Sequence, residues 1–388
     1  MRIVPGMVCA AFALSICNPA NADSTVDYSV GSGRTTNIFK EPTPLRAAFN
    51  EAKLGLRGSF ALEGSEVAYG VTVSGRRFPR YRFADEHRAG LEIGSVSEIG
   101  KAVTLTLKGG IEQRRDGDLF LALPGLTIGY RKADIAAAAS AGITVEHGGG
   151  KSHATVALSN LNRGEAEFTL PGLPRLQLEA GNRLLDLTGG HIRPLLGGEV
   201  GATLQYRANH IPADERMEFE RFPAQTLRGS LAYGRAFGSD VTLLAEAGLV
   251  RVAGDELGAS VDPTRPFLKA ELAWQLPADT ILRATLGRDI RLADIDDPIG
   301  EDVRTVRLSL EKALTEKLAL ALSCERASSD WLYYNYRTRT ASTTATLTYT
   351  LAKGAALALE YSHLRRRETD EAADFRVDGL AMRFSGTF

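Results

Sequence analysis

Apolar side chains recur at every second position through most of the chain. The stretch DGLAMRFSGTF (378–388) sets Leu380, Met382, Phe384, Gly386 and Phe388 on one side, with Gly379, Ala381, Arg383, Ser385 and Thr387 on the other. Period two marks a strand with two different environments. LGLRGSFAL (54–62) repeats it, with Leu54, Leu56, Phe60 and Leu62 against Gly55, Arg57, Ser59 and Ala61. So do EVAYGVTVSGR (66–76), AVTLTLKGGIE (102–112), VGATLQYR, TLRGSLAYG, FLKAELAWQL, TVRLSLEKAL and TTATLTYTL. The pattern predicts an all-β chain of many short strands.

The connections divide the possible folds. In the C-terminal half, short turns at FGSD (237–240), LPAD (276–279), LTEK (314–317) and LAKG (351–354) alternate with long polar stretches. The long ones span roughly 209–221, 253–265, 289–302, 326–337 and 366–374. Short turns at one end and long loops at the other are the arrangement of a transmembrane antiparallel up-and-down β-barrel. A soluble sandwich also has turns, but not this strict alternation of lengths.

Residues 1–22 read as a signal peptide, with Arg2, an apolar run and an A-x-A site at Ala20 and Ala22. The apolar run is too short to span a membrane as a helix. Residues 23–388 then form one barrel domain, beginning with TVDYSVGSGRTTNIF (25–39). At about 9–11 residues per spanning strand this suggests about 16–20 strands, with 18 the expected number. Residues 115–197 are the least regular, because prolines and glycines interrupt the alternation. A formal net charge of −1 argues against a nucleic-acid partner. Cys9 and Cys17 fall in the signal, so Cys324 is left alone, on the apolar side of its strand and expected to be buried and inert.

The polar side carries charges in mid-strand, and in a barrel this side faces the lumen. The candidate pore-lining residues are Arg57, Arg76, Lys108, Glu112, Arg207, Arg228, Glu246, Lys269, Glu271, Arg283, Arg307, Glu311, Glu360 and Arg383; Lys53 and Glu199 share that side. Both signs are present, which favours paired charges over a single-sign field. Phe384 and Phe388 are read as the terminal aromatic signal for the barrel-assembly machinery.

SGRTTNIFKEP, followed by charged alternating strands and a terminal phenylalanine, resembles the β-barrel porin family of Gram-negative outer membranes. Asn37, Ile38 and Phe39 match an Asp-Asn-Ile-Phe-Arg-like motif, while Thr36 and Lys40 depart from it. The resemblance implies an outer-membrane barrel. It also implies polysaccharide secretion components as partners, because several members are encoded beside exopolysaccharide machinery. It brings no catalytic residues and no cofactor.

Three further features have bland readings. Asp294, Asp296, Asp297, Glu301 and Asp302 lack the Ca²⁺-loop spacing, so a solvated acidic loop sharing divalent ions with lipopolysaccharide is expected. Trp331, Tyr333, Tyr334 and Tyr336 are expected in an interfacial girdle, with stacking on sugars as the alternative. GGGKS (148–152) lacks the first glycine of a phosphate loop and reads as a turn. None of the six histidines stands in a hydrolase or zinc motif, so no enzyme and no metal centre is expected. Three functions remain: a channel for a hydrophilic solute or polymer such as an exopolysaccharide, a structural or adhesive barrel with a filled lumen, and an outer-membrane hydrolase.

Overall fold

The computed structural model describes residues 23–117, 122–123, 126–127, 129–169, 172–254, 263–292, 297–352 and 354–388. The expected signal peptide, 1–22, lies outside them. The described residues form eighteen long strands: β1 Asp23–Thr35, β2 Ala47–Leu62, β3 Ser65–Arg77, β4 Glu86–Ile99, β5 Val103–Arg115 and β6 Asp134–His147. They continue as β7 Gly150–Asn162, β8 Asn182–Leu195, β9 Gly198–His210, β10 Ala224–Phe237, β11 Val241–Gly254 and β12 Thr264–Leu276. The last six are β13 Thr280–Leu292, β14 Gly300–Ala313, β15 Leu318–Trp331, β16 Arg337–Ala352, β17 Ala355–Glu368 and β18 Phe375–Thr387.

Each strand pairs antiparallel with its chain neighbours, and β1 pairs with β18 from Asp27↔Thr387 to Thr35↔Gly379. That last pairing closes the barrel and leaves no free edge, so backbone donors and acceptors are satisfied around the ring. The β6–β7 turn is Gly148–Gly149, with φ of +53° and +82°, the left-handed pair a two-residue hairpin needs. GGGKS is therefore a turn.

One face of the ring carries aliphatic side chains about half exposed, including Val30 at 50%, Ile93 at 54% and Leu380 at 52%. A continuous apolar belt of this kind is out of place in water and belongs against lipid tails. At the short-turn end Tyr28 stacks on Phe388 with centroids 5.2 Å apart and tilts against Phe384 at 5.9 Å. The C-terminal aromatics thus stand in an outward interfacial cluster. Cys324 lies on this outer face and is exposed, which corrects the expectation of burial. In a barrel the apolar side is the outside.

The structure corrects other boundaries. β1 stops at Thr35, not at residue 39, because Asn37 turns the chain. Its amide donates to Glu41 O at 2.6 Å, and Ile38 and Phe39 leave the wall to pack against Phe49, Phe78, Ala84 and Ala381. Most of the long connections are shorter than expected, and the one read as 326–337 is only 332–336, whereas the one read as 209–221 keeps its length as 211–223. Strands continue past the apolar belt, where charged outward residues make them look like loop. In the irregular region, β6, β7 and β8 supply three wall strands. The segment EAEFTL instead begins with a short strand, Ala166–Phe168, which pairs with Gly129–Arg131 outside the main ring.

Candidate functional site: the charged lumen

Register places all fourteen candidate charges on one face of the wall. That face is the concave one. Arg383 on β18 reaches Glu51 on β2, two strands away, and Arg207 on β9 reaches Asp289 on β13, four strands away. Side chains on strands so far apart can meet only across the inside of a ring.

The first group spans the closure seam. Arg383 bonds Glu51 through Nε and Glu360 Oε2 through Nη1 at 2.6 Å. Arg76 bonds the other oxygen of Glu51 at 3.0 Å, stands 3.7 Å from Glu86, and lies over the Phe49 ring at 4.5 Å. Gly31 makes the bridge possible. It is opposite Glu51 on one side and Arg383 on the other, and a Cβ there would stand 2.9 Å from Arg383 Cγ and 2.7 Å from Met382 O. Nearer the short-turn end, Asp27 pairs with Arg57 and accepts Thr387 Oγ1 at 3.0 Å.

The second group lies across the lumen. Asp186 on β8 accepts from Gln205, Thr188 and Arg207, the last at 2.9 Å. Asp289 accepts from Arg207 at 3.1 Å and Arg228 at 3.4 Å, and Arg228 lies over Phe267 at 4.1 Å. Cα atoms of β10 and β13 come within 8 Å although β11 and β12 intervene. The wall therefore folds sharply here. Val250, Val252 and Phe267 fill the fold, each 5% exposed or less.

The remaining candidates pair more loosely. Arg283 meets Glu311 at 2.6 Å, Arg307 meets Glu325 at 3.3 Å and Lys269 meets Glu271 at 2.8 Å, all with partly exposed side chains. Glu246 accepts Ser230 Oγ. Lys108 and Glu112 face inward from β5, and no carboxylate or cation of a described residue lies within ion-pair distance of either. Around them the wall is small: Gly70, Gly94, Gly110, Ala138, Ser140, Ala157 and Ser159 line a cavity of about 1070 Å³ that also meets Arg57, Glu92, Lys108 and Asp186.

Loops fold together at the long-loop end. Phe222 N donates to Pro298 O at 3.0 Å, and the Phe222 and Tyr333 rings stand 5.4 Å apart. Ile299, Leu332 and inward-facing Leu184 join Val250 and Val252 in one apolar cluster. Asp297 organises this bundle, accepting Ile299 N, Gly300 N and Tyr333 N at 2.8–3.1 Å. Glu301 accepts Arg291 and Ser329; Asp302 accepts Arg288 at 2.6 Å. These three carboxylates are at most 2% exposed, so the solvated acidic loop is corrected for them. Asp294 and Asp296 lie outside the described residues. Trp331 packs on Tyr336 with centroids 4.4 Å apart, and Tyr333 on Tyr334 at 5.0 Å. These rings therefore crown the loop bundle rather than a lipid-facing girdle. Burial and the Glu368 carboxylate push the Tyr336 hydroxyl up to about 12.

Sequence reasoning missed the acids that complete these groups: Asp27, Glu51, Asp186, Asp289 and Glu325. Glu51 sits two and six residues before Lys53 and Arg57, so the same alternation points to it. It missed entirely the cluster of Arg114, Arg131 and Arg163 around Asp134, where Arg163 lies 2.9 Å from the carboxylate and is 6% exposed. Two His contacts fall short of a hydrolase set. Ser152 sits between His147 and His191 at 2.9 and 3.0 Å with no carboxylate in the group, and His363 meets Asp378 at 2.8 Å without a described hydroxyl on its other nitrogen.

A closed eighteen-stranded ring with an apolar outside and a charged inside is a transmembrane β-barrel of the outer-membrane type. Residues 263–384 match the family model described as "Putative beta-barrel porin 2". No curated protein matches the sequence. Among solved structures the chain is similar to OccK2 (OpdF) of Pseudomonas aeruginosa in complex with glucuronate, at 11% identity and a TM-score of 0.50, covering 95% of this chain and 98% of that one. It is also similar to the siderophore receptor PirA of Acinetobacter baumannii, at 6% identity and a TM-score of 0.53, covering 95% and 81%. The ferric enterobactin receptor of Pseudomonas aeruginosa in complex with enterobactin matches at 10% identity and a TM-score of 0.53, covering 96% and 82%. At such identities these likenesses speak for the barrel fold alone.

Proposed function

We propose that this barrel is an outer-membrane channel for small hydrophilic solutes, with weak preference for either charge sign. The observation that carries the reading is the small-residue wall around the 1070 Å³ cavity, which leaves room where a filled barrel would place bulky side chains. Paired charges along the rest of the lumen supply a polar lining without a strong net field. A carboxylated sugar is one fitting solute class, since OccK2 was crystallised with glucuronate. The loop bundle over part of the mouth and the folded wall at β10–β13 favour such small solutes over an exopolysaccharide chain. The same two features suit a barrel without flux, which is the second reading. Planar-bilayer conductance separates them. Steady steps with a small reversal potential in a salt gradient are expected; a heat-modifiable, folded barrel that never conducts would leave only the second reading.

A further inference from the structure

The outer face of β15–β18 carries a charge pattern that the lumen does not explain. Arg326, Arg339, Arg365 and Arg367 point outward there and are exposed. They stand beyond the apolar runs of their strands: Arg326 directly follows Leu320, Leu322 and Cys324, Arg365 and Arg367 follow Leu357, Leu359, Tyr361 and His363, and Arg339 is separated from Ala345 and Leu347 by Ala341 and Thr343. They lie toward the long-loop end.

Two pairs face each other directly across neighbouring strands, Arg339↔Arg367 and Arg365↔Arg376. Like charges directly opposite destabilise a sheet. Elsewhere on this face the same juxtaposition is neutralised. Arg288 and Arg304 are also opposite, but Asp302 sits between them, at 2.6 and 3.7 Å. Asp330 holds Arg304 and Arg337, and Asp378 holds Arg376 at 2.9 Å. No carboxylate of a described residue is within ion-pair distance of Arg326, Arg339, Arg365 or Arg367. All of these cations are arginines, whose planar forks match phosphate oxygens two at a time. Four adjacent strands make the patch roughly 14 Å wide.

We infer that this patch binds the phosphate groups of the outer-leaflet lipopolysaccharide, whose acyl chains lie against the apolar belt just below. The position at the edge of that belt, the uncompensated pair Arg339↔Arg367 beside an Arg365 that lacks a carboxylate of its own, and the exclusive use of arginine select a membrane-anchored polyphosphate over a soluble anion. The inference rests on the barrel standing in an outer membrane with its long loops outside, and not on flux through the lumen.

The test uses the full folded chain in detergent micelles, with binding read by native mass spectrometry. The probes are deep-rough lipopolysaccharide, the same glycolipid after removal of its lipid A phosphates, phosphatidylglycerol and inorganic phosphate. The wild type should retain the phosphorylated glycolipid and release the dephosphorylated one. Arg326→Gln, Arg339→Gln, Arg365→Gln and Arg367→Gln together should weaken binding by roughly fivefold per arginine, several hundredfold in all. Heat-modifiable gel mobility checks that the variant is folded; should the fourfold variant fail, Arg339→Gln with Arg365→Gln tests the same two pairs. Arg367→Gln should leave the melting temperature in lipid-free detergent unchanged or higher, since it relieves repulsion, while lowering glycolipid binding. A structural role predicts a lower melting temperature. Equal affinity of folded variant and wild type overturns the proposal. So does equal retention of phosphatidylglycerol, or displacement by millimolar inorganic phosphate, which would make the site a general anion patch. Loss of glycolipid binding with conductance unchanged, or the reverse, keeps this inference separate from the channel reading.

Discussion

The bridge between Arg383 and Glu51 ties the last strand to the second across the closure seam, so removing it should loosen the barrel where it is sealed. Glu51 is 14% exposed and Arg383 29%. A hydrogen bond between charged groups contributes about 1.5–3 kcal/mol when shielded from water. With Arg383 nearly a third exposed, solvent screening lowers the expected coupling to about 1–2 kcal/mol. The double-mutant cycle of Glu51→Ala and Arg383→Ala, read by urea unfolding in lipid vesicles, isolates that term. The half-exposed pair Arg283–Glu311, at 45% and 52%, serves as comparison and should couple by only about 0.2–1 kcal/mol. Gly31→Val should mimic Arg383→Ala and add little to it, because both remove the same bridge. The lumen gives an independent readout. Glu51→Ala leaves Arg76 and Arg383 in excess and should move the reversal potential toward anions; Arg383→Ala should move it toward cations. Coupling below about 0.3 kcal/mol, with both reversal potentials unmoved, would refute the assignment of this group as a seam bridge facing the pore.

Three other outcomes are expected. Leu322→Arg should cost about 2–4 kcal/mol in a bilayer and Ser323→Arg under about 1 kcal/mol, since the first faces lipid and the second the lumen; the reverse order of unfolding free energies would invert the assignment of faces. Asp134→Ala removes the carboxylate that Arg114, Arg131 and Arg163 share, leaving Asp116 to hold Arg114 and Glu179 to hold Arg131 and Arg163, and should cost about 1.5–3 kcal/mol, with loop 163–181 newly open to protease; unchanged proteolysis would count against it. The Tyr336 hydroxyl is held to about 12 in the fold, so the loop bundle's stability is complete below pH 10 and falls as pH rises from about 10 to 12. Tyr336→Phe should flatten that decline, and an alkaline melting series that matches the wild type would contradict it.

Period-two alternation by itself determined which residues share a face, because successive side chains on a strand point to opposite sides whatever the strand is paired with. Leu380, Met382 and Phe384 could therefore be separated from Arg383 without any knowledge of neighbours, and the spacing of short turns was enough to make a barrel of about 18 strands. The turn at Gly148–Gly149 was legible for the same local reason, since a left-handed pair calls for glycine. The partners were not legible. Arg383 meets Glu51 because closure brings residues 332 apart in the chain onto strands separated only by β1, and Arg207 meets Asp289 because the wall folds between β10 and β13. The acids at Asp297, Glu301 and Asp302 looked solvated because their sequence neighbours are polar; the three loops that bury them come together only in the folded ring. Cys324 shows the same limit from the other side. Its face could be read from the strand, but whether that face meets protein or lipid depends on the curvature of the closed sheet, a property of all eighteen strands at once.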